Sequence, residues 1–139
     1  MGQTIRDIMT PSPATLPADA SVVEAARVMR DNDVGDVILV DGDQVCGIIT
    51  DRDIAVRAVA EGGDPSQLRA GDVGTLDPTC ITSDDTAEDA LRLMRGQAIR
   101  RLPVVEGGRP VGIITLGDLS IEREPDSALA DISAAPPNS

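Results

Sequence analysis

The chain is written twice. Sliding the sequence along itself by 65 positions lays Gly47 of "GIITDRDI" on Gly112 of "GIITLGDL". The same register pairs Asp7 with Asp72, Thr10 with Thr75, Pro13 with Pro78 and Asp19 with Asp84. It also pairs Ala25 with Ala90, Arg27 with Arg92, Met29 with Met94, Val40 with Val105, Gly42 with Gly107, Thr50 with Thr115 and Asp53 with Asp118, with no gap from Asp7 to Leu119. One register kept over such a span marks a tandem duplication. It narrows the fold sharply, because both halves of a 139-residue chain must adopt one architecture, and a unit so short buries little surface alone.

Each copy carries the same local signals. A short extended piece, "ATLP" or "TCIT", precedes a helix that opens at Ser21-x-x-Glu24 or Thr86-x-x-Asp89. In both, the hydroxyl caps an orphan N–H and the acid reaches back to the cap, which is the capping-box pattern. Ala25, Val28 and Met29, matched by Ala90, Leu93 and Met94, recur at helical spacing and give an apolar face. "VILVDGDQVCGIIT" and "LPVVEGGRPVGIIT" are pairs of β-branched runs around Asp-Gly and Gly-Gly turns, the signature of a hairpin. A second helix is expected over Asp51–Ala60 and from Leu116 to about Arg123. The fold class is therefore α+β, two βαββα repeats packed sheet to sheet so that each covers the other's open face. The expected bounds are 5–61 for the first repeat, 62–71 for a linker, 72–124 for the second repeat and 125–139 for a flexible tail, in which Leu129 and Ile132 could dock as one helical turn.

Composition removes whole classes of chemistry. The chain has no His, Lys, Phe, Tyr or Trp, and all 12 basic residues are Arg. Without His there is no Ser-His-Asp or Cys-His machinery and no His-built metal cluster. Without Lys there is neither a Walker-type P-loop nor a Schiff base, and without aromatic rings there is no stacking platform for single strands. A net charge of −12 repels phosphate backbones and anionic membranes at long range, so neither nucleic acid nor membrane is an expected partner. No stretch approaches the length of a membrane span, the N-terminus lacks a signal-peptide core, and Arg6 stands where a myristoylation signal needs Ser or Thr. A cytoplasmic protein is expected, and Cys46 and Cys80 read as small buried residues in preference to a redox pair.

The repeated phrase Thr-x-x-Asp supports two readings at Thr50/Asp53 and Thr115/Asp118. Thr at the N-cap with Asp three residues on is what a helix start needs, worth about 1 kcal/mol. The same helix start also offers free N–H groups and the positive end of a dipole to a phosphate. A carboxylate beside it can accept hydrogen bonds from both hydroxyls of a ribose, and small aliphatic side chains on adjoining strands suit a flat base. Thr, Asp and a helix start thus fit an adenosine nucleotide.

The phrases "GIITDRDI", "RRLPVVEGGRPVGIITLGDL" and "DIMTPSPATLPADASVVEAARVMRDNDVGDVILV" together resemble tandem CBS domains, named after cystathionine β-synthase and paired into a Bateman module. The resemblance runs from about Ile5 to Glu124. It implies that the copies pack through their sheets about a pseudo-twofold axis and leave two clefts, each able to hold AMP, ADP, ATP or S-adenosylmethionine as a regulatory ligand, with no cofactor required and no metal. The motif Asp would bind ribose and the motif Thr would lie near ribose or phosphate. By resemblance, one cleft joins Ile48, Thr50 and Asp53 to Thr79, Ile99, Arg100 and Arg101, and the other joins Ile113, Thr115 and Asp118 to Ala14, Val34, Gly35 and Asp36. On that grouping Arg100 and Arg101 favour a phosphorylated ligand at Asp53, Asp36 disfavours one at Asp118, and Arg52 offsets this in part.

The expected function is a ligand-sensing regulatory module that binds an adenosine-containing nucleotide, is not an enzyme, and acts as a homodimer or on an unidentified protein partner. The alternative is a stress-related interaction protein with empty clefts, in which Cys46 and Cys80 form a redox switch. The Arg-only, Ala-, Gly- and Asp-rich usage points to a bacterial source.

Overall fold

The structure, a computed structural model, describes residues 3–123. The tail expected to be flexible, with Leu129 and Ile132, lies outside the described residues. In chain order the elements are α1 (Ile5–Ile8), β1 (Thr10–Pro11), β2 (Thr15–Pro17), α2 (Val22–Asn32), β3 (Asp36–Asp41), β4 (Gln44–Thr50), α3 (Asp51–Asp53) running on as a π-helical stretch (Ile54–Val59), α4 (Ala70–Val73), β5 (Thr75–Leu76), β6 (Ile81–Thr82), α5 (Ala87–Gln97), β7 (Arg101–Glu106), β8 (Arg109–Thr115) and α6 (Leu116–Arg123).

These elements form two compact units, each with one four-stranded sheet. Pro13–Pro78 makes one, with strand order β2-β3-β4-β5. The other combines the described residues up to Ser12 with those from Thr79 to Arg123, in the order β1-β8-β7-β6. In both, the short strand before the long helix runs parallel to the first hairpin strand, and the remaining pairs are antiparallel.

The sequence signals act where they stand. Ser21 Oγ accepts from Glu24 N–H at 3.1 Å and Thr86 Oγ1 from Asp89 N–H at 3.2 Å, so both long helices open on closed capping boxes. Both end on a left-handed residue, Asp33 and Ala98, each with φ of 56°. The hairpins turn through Gly42 and Gly107, whose φ values of 65° and 59° suit residues without a Cβ. Strand alternation sends Val37, Leu39 and Ile49 onto the helices of one unit, against Val22, Ala25 and Met29. Leu102, Val104 and Ile114 do the same in the other, against Ala90 and Met94. Ile38 and Ile48 alternate to the opposite face of their sheet.

The compact units do not coincide with the sequence repeats. Helix α1 and strand β1 precede the first repeat's hairpin yet pack with the second: Thr10 and Pro11 pair with Ile113 and Gly112, and fully buried Ile5 joins that core. Residues of the expected linker and just beyond it do the reverse. Ala70 and Val73 enter the first repeat's core, and Thr75 and Leu76 pair with Ile48 and Gly47. Strands of two residues and helices of four carry no periodicity, so nothing in the local sequence announces where they dock. The second helix of the first repeat begins at Asp51 as expected but widens into a π-helical stretch after Asp53.

Candidate functional site

Both Thr-x-x-Asp phrases fold into the same object at the end of a hairpin. Thr50 Oγ1 accepts from Asp53 N–H at 3.0 Å, and Asp53 Oδ2 accepts from Thr50 N–H at 2.9 Å. Thr115 and Asp118 repeat this at 3.1 and 2.8 Å. In each carboxylate one oxygen is committed to the cap and the other is left over. Asp118 Oδ1 has no hydrogen-bond partner among the described residues. Asp53 Oδ1 faces Arg57 Nε at 4.0 Å, one turn along the helix, and its side chain is 17 % exposed. Arg57 also donates to the Val73 and Gly74 carbonyls at 3.3 and 3.4 Å, tying Asp53 to α4.

The hairpin register decides which residues accompany each motif. In an antiparallel pair, the residues before the first strand lie beside those after the second. Asp36 therefore stands opposite Thr50, and the Gly35 carbonyl accepts from Asp51 N–H at 3.0 Å. Ala14 is brought to the same sheet by its carbonyl, which accepts from Ile38 N–H at 2.9 Å, next to Ile48, the residue paired with Ile38. Val34 precedes Gly35 and is 38 % exposed, and the exposed Arg52 donates its N–H to Asp51 Oδ1. In the other unit Arg101 stands opposite Thr115, and the Arg100 carbonyl accepts from Leu116 N–H at 2.9 Å. Ile113 pairs with Pro103, Ile99 packs on the core beneath, and Thr79 lies two residues before β6.

The expected grouping joins each motif to residues of the other repeat, whereas the hairpin register describes neighbours within one unit. Arg100 and Arg101 were assigned to Asp53, and Gly35 and Asp36 to Asp118. The register attaches the two arginines to the Thr115–Asp118 helix start, and Gly35 and Asp36 to the Thr50–Asp53 start. Two Arg accompany Asp118, whereas Asp36 and Asp51 accompany Asp53, with Arg52 and Arg57 alongside. Residues the sequence reading missed include Arg57, for which the i,i+4 spacing from Asp53 was the available signal.

The described residues contain no group of three or more His, Cys, Asp or Glu poised to hold a metal, and no helix among them is long and apolar enough to cross a membrane. The free cysteines Cys46 and Cys80 are both half-buried and belong to different units. Burial, and then the nearby charge of Asp41, push the Cys46 thiol pKa up.

A family model described as CBS domain matches residues 5–59 and 70–123. A CBS domain-containing protein of Bacillus subtilis, YhcV, is 36% identical over 134 residues, covering 94% of this chain and 95% of its own length. Hypoxic response protein 1 of Mycobacterium tuberculosis is 32% identical over 118 residues, 84% of this chain and 82% of its own. A CBS domain protein from Pyrobaculum aerophilum, solved in complex with AMP, superposes with a TM-score of 0.78 at 27% identity, covering 95% of this chain and 99% of that one.

Proposed function

Since the chain belongs to the CBS-domain family, as a tandem pair of CBS repeats, we propose that it is a regulatory module that binds an adenosine nucleotide at its Thr-x-x-Asp helix starts, with the phosphorylated ligand preferring the Thr115–Asp118 end. The observation that carries this reading is the attachment of Arg100 to that helix start through the 2.9 Å bond from Leu116 N–H to its carbonyl. Asp118 Oδ1, uncommitted among the described residues, accepts from the ribose hydroxyls, while Oδ2 holds the cap closed. The first-turn N–H groups of α6 and the guanidinium of Arg100 receive phosphate oxygens. Ile113 and Ile99 supply apolar surface for the base, with Thr79 on the approach to β6. The AMP complex of the Pyrobaculum aerophilum relative supports the ligand class.

The Thr50–Asp53 end, with Ile48, Ala14, Val34 and Gly35, takes the same adenosine moiety with less negative charge. Asp36 and Asp51 oppose a phosphate there, and Arg52 answers only part of that charge. Adenosine, or the cationic S-adenosylmethionine, suits this end better than ADP or ATP. Ligand occupancy is read out by a second copy of the chain or by a separate partner protein.

Titration calorimetry with AMP on the full chain tests the reading, using Asp118→Asn and Asp53→Asn separately. Asn keeps an acceptor for the Thr N–H, so the caps survive. AMP affinity falls more in Asp118→Asn. Because the chain has no Trp or Tyr, a co-purified nucleotide is also visible directly near 260 nm. Absence of both binding heat and thermal shift with AMP, ADP, ATP and S-adenosylmethionine would sink the proposal. A greater loss in Asp53→Asn would sink the assignment of ends.

A further inference from the structure

Matching backbone carries unmatched side chains at one place in the two repeats. Arg6 N–H donates to the Ser83 carbonyl at 3.0 Å, and Gly71 N–H donates to the Ala18 carbonyl at 2.8 Å. One residue back, Ile5 N–H to the Asp85 carbonyl at 2.8 Å is matched by Ala70 N–H to the Ala20 carbonyl at 2.7 Å. Arg6, Ser83, Asp84 and Glu106 thus have Gly71, Ala18, Asp19 and Asp41 as counterparts, in the 65-residue register of the sequence.

Around Arg6 the side chains close into a network. Arg6 Nη2 lies 2.9 Å from Ser83 Oγ, 2.9 Å from Asp84 Oδ1 and 3.3 Å from Glu106 Oε1, and the Ser83 hydroxyl donates to Glu106 Oε1 at 2.6 Å. The Ser83 hydroxyl first, and Arg6 next, hold the Glu106 carboxyl below its ordinary pKa. In the counterpart, Gly71 has no side chain, Ala18 has no hydroxyl, and Asp41 is one methylene shorter than Glu106. Both acids persist and the cation does not. What remains is an open cavity of about 550 Å³ bordered by Ala18, Asp19, Val40, Asp41, Cys46 and Leu76. The carboxylates of Asp19 and Asp41 have no hydrogen-bond or ion-pair partner among the described residues. Arg69, two residues before Gly71, donates at 2.7 Å to the backbone carbonyl of Asp19.

We infer that this cavity is a binding site for a guanidinium group, which enters between Asp19 and Asp41 as the Arg6 guanidinium lies among Ser83, Asp84 and Glu106 in the other repeat. A planar, always-charged fork with several N–H donors meets two separated carboxylates better than a compact ammonium does. The aliphatic stem that carries such a group rests on Val40 and on Leu76, which is 56 % exposed. The site lies at the turn end of the β3–β4 hairpin, the opposite end of β4 from Thr50, so it is separate from the nucleotide reading and survives its failure. Its negative rim excludes nucleotides. The guanidinium comes either from an arginine side chain of a protein partner or from a free arginine-like metabolite.

Amide-resolved NMR on the full chain tests this with butylguanidinium, butylammonium, L-arginine and a Gly-Arg-Gly amide as probes. Butylguanidinium shifts Ala18, Asp19, Asp41 and Cys46 with a Kd in the millimolar range, and butylammonium binds several-fold more weakly. Neutralising both acids, Asp19→Asn with Asp41→Asn, weakens binding about tenfold. Gly71→Arg supplies the missing cation internally and abolishes probe binding. A Cβ at Gly71 meets the Ala18 carbonyl oxygen at 3.1 Å and Ala18 Cβ at 3.2 Å, so if that variant does not fold, the isosteric Asn pair carries the test. Tighter binding of the tripeptide than of L-arginine identifies a protein side chain as the source, and the reverse order identifies a metabolite. No shift at these residues with about 10 mM butylguanidinium, equal binding of butylammonium, or unchanged binding in a folded Asn pair overturns the inference.

Discussion

Replacing Arg100 by Ala separates the proposed phosphate-binding role of the Thr115–Asp118 end from everything else that end does. The bond that joins the segment to α6 runs from Leu116 N–H to the Arg100 main-chain carbonyl, so truncating the side chain leaves it in place. The Thr115–Asp118 cap is equally untouched, so the proposed ribose acceptor keeps its place. What disappears is one guanidinium. A charge-assisted hydrogen bond in a water-excluded site is worth roughly 1.5–3 kcal/mol. Arg100 is exposed, so solvent screening brings this down to about 1 kcal/mol, or about fivefold in Kd. Calorimetric titration of wild type and Arg100→Ala with AMP and with adenosine closes the cycle. AMP loses about fivefold, adenosine loses nothing, and the difference shrinks above physiological salt, where the Debye length drops below about 8 Å. The reciprocal change, Gly35→Arg, gives the other helix start the same cation. Gly35 is not among the positive-φ glycines, so an Arg is accommodated there without backbone strain, and phosphate discrimination at that end rises. Equal losses for AMP and adenosine, or no loss for AMP, would refute the electrostatic reasoning.

Three further outcomes follow from the packing and the titrations. Leu102→Ala empties a fully buried position in the core shared with Ile5 and Met94, and chemical denaturation monitored by far-ultraviolet circular dichroism reads a cost of about 2–5 kcal/mol. Arg6→Ala lowers the melting temperature at neutral pH, because it removes a partner of the Glu106 carboxyl, whose pKa is held down by Ser83 and then Arg6. A carboxyl depressed in the folded state contributes stability above its ordinary range and loses it as pH falls through its folded value, so the gap between wild type and Arg6→Ala closes on acidification into that range. A gap that persists unchanged there contradicts the assignment to Glu106. Burial, then Asp41, raise the Cys46 thiol pKa, so in the native chain at neutral pH it is alkylated more slowly than a free model thiol, and faster labelling contradicts that account of its surroundings.

How much was legible depended on whether the information was local. The capping boxes at Ser21, Thr50, Thr86 and Thr115 all formed as written, because a cap is settled within four residues. The hairpins formed for the same reason, with Gly42 and Gly107 at their turns. The pairing within each hairpin was legible as well. A hairpin over "VILVDGDQVCGIIT" already places Asp36 opposite Thr50, and its copy places Arg101 opposite Thr115.

The sequence by itself determined the duplication, the α+β class, the helix starts and the chemistry that the missing residue types exclude. These follow from periodicity, caps, turns and side-chain inventory, which act over a few residues or over one repeat. Tertiary structure alone decided where the short pieces went. α1 and β1 complete the second repeat's sheet and core, while α4 and β5 complete the first's. Elements of two to four residues have too few local hydrogen bonds and too little apolar face to choose a partner. Sheet edges and core surfaces brought close only by the folded chain choose for them. The same exchange sets Arg6 against Ser83, Asp84 and Glu106 in one unit and Gly71 against Ala18 in the other, where the cavity beside Asp19 and Asp41 stays open.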